Sequence, residues 1–112
     1  MIIHDYELND DLYKITLAGR LDIATVAQIT DSFTRMCESP RKGTIIDLTE
    51  VSYIASMGIR LLLIGCKAVN SRGGRIVMVV PRQEIKNVLV ISGLHKIMEV
   101  FDDLDSAVAS FE

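Results

Sequence analysis

The chain has 112 residues, 49% hydrophobic and 24% charged, with a net charge of −3 and no tryptophan. That length suits one domain with a real core, built mostly from Ile, Leu, Val, Met and Ala because aromatics are scarce. The basic residues are scattered (Arg35, Arg41, Lys42, Arg60, Lys67, Arg72, Arg75), so no concentrated basic face exists and nucleic acid is not expected as a partner. No apolar run is long enough to span a bilayer, and "MIIHDYELND" lacks the basic start of a signal peptide; a cytoplasmic location is expected.

Two alternating runs, "IIHDYEL" and "LYKITL", flank the turn residues "NDD" and predict a β-hairpin with one exposed face, closing at Gly19. From Asp22 the period becomes helical: Ile23, Val26, Ile29, Phe33 and Met36 recur on one side, with Asp22 as N-cap and Pro40 past the end. "GTIIDL" predicts a strand ending near Leu48, followed by a short polar loop. Met57 to Ser71 reads as a second helix closed by "RGG". "RIVMVV" is apolar on both faces, as an interior parallel strand is. Ile85, Val88, Leu89 and Ser92 share a third helical face, ended by Gly93. "KIMEVF" predicts a last strand and "DDLDSAVASF" a last helix carrying Leu104, Val108 and Phe111.

The order β-β-α-β-α-β-α-β-α predicts an α/β fold: one domain over residues 1–112, a small, mainly parallel sheet with an N-terminal antiparallel hairpin and four helices. The half-polar second strand implies that one sheet face is less fully covered than the other. Cys37 and Cys66 lie in helical segments, form no metal or redox motif, and read as buried thiols in a reducing compartment.

Enzyme chemistry finds little support in these residues. His4 and His95 lack a partner at motif spacing, and Asp102, Asp103 and Asp105 are explained by capping and the helix dipole. "SRGGR" follows a helix and precedes a strand, the reverse of a phosphate loop. No catalytic residue, metal or cofactor is therefore expected.

The junction at Ser56 has the opposite polarity, strand to helix. As an N-cap, Ser56 would accept a bond from the N–H of Gly58 or Ile59, worth about 1 kcal/mol. Gly58 removes bulk beside it, opening a close approach for a partner. The following helix carries two apolar stripes. One holds Ile59, Leu62, Leu63, Cys66 and Val69; the other holds Leu61, Ile64 and Ala68, with Arg60 between them. Either the last helix covers the second stripe with Val108 and Phe111, or its N-terminal part is a docking patch. A serine at an exposed helix start beside an apolar patch suits a phosphorylation switch, because phosphate adds about −1.5 to −2 charges there.

The segment "TIIDLTEVSYIASMG" (44–58) resembles the strand-loop-helix signature of STAS domains, specifically bacterial anti-sigma factor antagonists. "GRLD" (19–22) is similar to their element before the first helix, and "ISGLHKIMEVFDDLDSAV" (91–108) to their C-terminal pattern. The resemblance implies partner switching. An unphosphorylated antagonist binds an anti-sigma factor that is also a serine kinase, phosphorylation of one serine separates them, and a serine phosphatase resets the cycle. Ser56 aligns with that serine, Gly58 with the signature glycine, and Asp22 and Asp47 with acidic or polar positions flanking the site. The expected partner surface comprises Asp22, Asp47, Ala55, Ser56, Met57, Gly58, Arg60, Leu61 and Ile64. Two positions depart from the family pattern: Ala55 stands where Asp is usual, and Met57 where a small residue is usual. These departures motivate an alternative, a STAS subunit held constitutively in a sensory or lipid-transport assembly without a switch. The oligomeric state is left open by the sequence.

Overall fold

A computed structural model describes residues 2–112. The elements are β1 (Ile2–Glu7), β2 (Leu12–Leu21), α1 (Ile23–Cys37), β3 (Gly43–Ile54), α2 (Ser56–Ser71), β4 (Arg75–Val79), α3 (Gln83–Ser92), a 3-10 turn (Leu94–Lys96), β5 (Glu99–Phe101) and α4 (Leu104–Ala109). The five strands lie in chain order β1-β2-β3-β4-β5. β1 and β2 pair antiparallel, and the remaining pairs are parallel. Every parallel crossover steps one strand in the same direction, so right-handed connections place α1, α2 and α3 on one face.

That face holds the main core. Ile15, Ile46 and Met78 are register neighbours on adjacent strands. They pack in one cluster with Val26, Ile29 and Phe33 of α1, Leu62, Cys66 and Val69 of α2, and Ile85 and Leu89 of α3. The opposite face has a smaller cluster of Ile45, Val77, Val79 and Ala107, with Phe101, Leu104, Val108 and Phe111 against it. Lys14 and Thr16 of β2 continue this outer face beyond the reach of that cluster. The two faces are unequally covered, as the half-polar strand implies. Both cysteines are free and buried, and burial pushes the Cys37 thiol up to about 12.

Five local features differ from the sequence reading. The last strand starts at Glu99 rather than at Lys96, because Leu94–Lys96 coil into the 3-10 turn. β2 does not stop at Gly19: that residue takes φ 103°, a value that suits glycine, and the register shifts there before pairing resumes to Leu21. β3 likewise does not end near Leu48 but runs on to Ile54, because extended β2 goes on pairing with it, through two register shifts, as far as Leu21. Ile23, expected on the buried stripe, is 70% exposed; it occupies the first turn of α1, ahead of Val26, Ile29, Phe33 and Cys37, which reach the core. Finally, Val108 and Phe111 pack on the outer sheet face rather than on α2. The second stripe of α2 is covered by α1 instead. Gly65, one turn beyond Leu61, lies so close to α1 that an added Cβ would sit 2.7 Å from Phe33 Cε2 and 3.0 Å from Cys37 Sγ.

Candidate functional site

β2 and β3 end side by side, with Leu21 paired to Ile54, and the Ala55 N–H donates to the Leu21 carbonyl at 2.9 Å. Two helices therefore begin next to each other, and they are capped differently. Asp22 closes α1 with a capping box: its Oδ1 accepts from the Thr25 N–H at 3.0 Å, and Thr25 Oγ1 accepts from the Asp22 N–H at 3.1 Å. The backbone bond from Thr25, with its side chain and Arg20 adding to it, holds the Asp22 carboxyl below the usual carboxylate range.

At α2 the cap position belongs to Ala55, in an extended conformation (φ −93°, ψ 176°) and without a side-chain cap bond. Ser56 is thus the first helical residue, not the N-cap expected for it. The N–H groups of Gly58 and Ile59, which a Ser56 cap would have served, donate instead to the Ala55 carbonyl at 2.9 and 3.1 Å. Among the described residues no hydrogen bond uses the Ser56 hydroxyl, and the side chain is exposed. A free hydroxyl therefore sits at a helix start whose first amides have no side-chain acceptor.

The other expected site residues divide by burial. Met57 is exposed beside Ser56, and Arg60 is exposed one turn further on. Gly58 is buried, and a Cβ there would lie 2.9 Å from Leu21 Cβ and 3.0 Å from the Leu21 carbonyl oxygen. Its missing side chain lets α2 start against β2; it does not open a path for a partner. Leu61 is 1% exposed and Ile64 half-buried, so the stripe they belong to faces inward and Leu61 presents nothing to a partner. Asp47 lies mid-strand, opposite Thr16 and Val79, with Lys14 Nζ at 3.9 Å and the Thr49 N–H donating to it at 3.0 Å. Residues 48–54 of the extended strand, a span of roughly 26 Å, separate it from Ala55. It does not flank Ser56.

What does surround Ser56 comes partly from an unexpected element. An open groove of about 480 Å³ is lined by Tyr53, Ala55, Ser56 and Ile59 on one side and by Val88, Ile91 and Ser92 of α3 on the other. Ile91 is 86% exposed and Tyr53 41%. The guanidinium of Arg20 lies over the Tyr53 ring, 4.2 Å from its centre. The contribution of α3 had one sequence signal: "VLVI" (88–91) is apolar all round, more than one buried stripe requires. Among the described residues no His, Cys, Asp or Glu trio could hold a metal.

The STAS domain model matches residues 5–107. An anti-sigma-B factor antagonist from Staphylococcus epidermidis is 27% identical over 92 residues, covering 82% of this chain and 85% of that protein. Among solved structures, an anti-sigma-factor antagonist (STAS) domain protein from Planctomyces limnophilus superposes with a TM-score of 0.87 at 19% identity, over 98% of this chain and 97% of that one. The Bacillus cell fate determinant SpoIIAA in its phosphorylated form superposes with a TM-score of 0.73 at 20% identity, over 99% of this chain and 100% of that one. The match across nearly the whole chain, together with the shared fold, establishes that this chain belongs to the STAS domain family.

Proposed function

We propose that this protein is an anti-sigma factor antagonist that binds an anti-sigma factor serine kinase through the surface around Ser56 and is released when that serine is phosphorylated. The observation that carries the reading is the free, exposed hydroxyl of Ser56 at an uncapped helix start, inside an apolar groove. The S. epidermidis relative's role as an anti-sigma-B factor antagonist and the existence of a phosphorylated SpoIIAA support it. A phosphate on Ser56 would meet the first-turn N–H groups and the positive end of the α2 dipole, so the fold tolerates the added charge. A partner packed against Ile91 and Tyr53 would not, because burying about −1.5 to −2 charges in an apolar contact is costly. Binding frees a sigma factor, phosphorylation reverses it, and a serine phosphatase restores the bound form.

Incubation with the anti-sigma kinase and ATP, followed by peptide mass spectrometry, tests the modification. Phosphate on Ser56 is the expected result, and phosphate elsewhere overturns the assignment. Ser56→Asp should weaken kinase binding while leaving the thermal melt nearly unchanged, and Ser56→Ala should bind as the native protein does. Equal loss from both substitutions would remove charge as the mechanism.

A further inference from the structure

The groove beside Ser56 has apolar walls, and one of them carries an arginine. Arg20 stands on the Tyr53 wall with its guanidinium face on the ring, and its side chain is 60% exposed. Its closest carboxylate, Asp22, caps α1 with Oδ1 and keeps Oδ2 3.7 Å from the Arg20 Nε, on one edge of the guanidinium. No hydrogen bond among the described residues uses the Arg20 guanidinium, so its outer Nη edge is open. Arg60, exposed and one turn beyond Ser56, has no ion pair among the described residues. A guanidinium lying on an aromatic platform has fewer conformations to lose and offers a planar fork that matches a carboxylate.

We propose that the partner meets this groove with an aliphatic side chain flanked by carboxylates, the side chain filling the trough between Tyr53 and Ile91 and an acid pairing with Arg20. The inference rests on the reading of Ser56 as a switch and names the chemistry of the partner surface. It also adds to how the switch works. Ser56 and Arg60 are spaced i, i+4 on one helix, and Ser56 shares its groove with the wall that carries Arg20. A phosphate on Ser56 therefore supplies these arginines with an anion from within the chain, displacing the partner's carboxylate as well as repelling it.

The test uses the full ¹⁵N-labelled chain and two short blocked peptides, each with one leucine, flanked by glutamates in one and by lysines in the other. The glutamate peptide should shift the amide signals of Tyr53, Ala55, Ser56 and Ile91, bind about two- to fivefold more tightly than the lysine peptide, and weaken as salt is raised. Arg20→Glu should reverse the preference; Arg20→Gln should abolish it without altering the rest of the spectrum. Equal response to both peptides, or shifts centred on the outer sheet face, overturns the proposal. Because no kinase is used, a protein that is phosphorylated on Ser56 yet ignores peptide charge would overturn this inference alone.

Discussion

Ala55 and Gly58 set the character of the site more than the serine between them does. Ala55 holds the extended backbone of an N-cap but offers no oxygen, so the start of α2 lacks one bond that α1 has. Ala55→Asp should supply it and stabilise the protein by about 1 kcal/mol, read as a raised urea midpoint with an unchanged slope. Gly58→Ala tests the opposite constraint. Its Cβ would press on the Leu21 backbone, an atom that cannot swing aside. The overpacking cost of about 1–3 kcal/mol exceeds much of the roughly 1 kcal/mol that alanine gains in helix propensity, so a net loss of about 1 kcal/mol is expected in the same denaturation experiment. The serine itself was legible at once, but the residue that takes the cap position was not. Capping depends on which residue takes extended φ and ψ, and "ASMG" leaves both Ala55 and Ser56 open to that conformation.

The two aspartate-capped helices, α1 and α4, make the stability of the fold depend on pH. Asp22 and Asp103 each accept a backbone N–H, from Thr25 and Ser106, and those bonds hold both carboxyls below their usual range. A carboxyl that is more acidic folded than unfolded contributes its stability above the unfolded value, about 3.9, and loses it as pH falls through the lower, folded one. Thermal melts taken from neutral pH downward should therefore show a decline beginning near pH ~4. Asp22→Asn, which still caps but does not titrate, should flatten that acid limb. At this scale most elements could be read from periodicity, including all four helices and the αL stop at Gly93. The two long strands could not. β2 and β3 extend past Gly19 and Leu48 because each supplies the other's hydrogen bonds, and that mutual support has no local signature. That α1 rather than α4 covers the Leu61 stripe could not be read either: the missing side chain of Gly65 lets α1 close on it.

Across the whole molecule, the inner and outer faces of the sheet are held with very different strength. The inner cluster joins three helices to the sheet, whereas α4, six residues long, is held on the outer face by a few contacts, and the residues just after it by Arg75, whose guanidinium donates to the Ser110 carbonyl and lies 4.5 Å from the centre of the Phe111 ring. Local opening follows such differences. In native-state hydrogen exchange, α4 amides should exchange with a lower opening free energy than those of α1 and α2; a single shared value for all three helices would show that the outer layer unfolds only with the whole. The extended β3 has a consequence of its own. Its last residue paired with β4 is Asp47, so the stretch to Ile54 leans on β2 alone among the strands and carries Ser56 away from the sheet's centre, like a signal lamp at the end of a boom. Substitutions at Ala55 or Met57 can therefore recast the surface around Ser56 while the core that keeps the boom upright stays as it is.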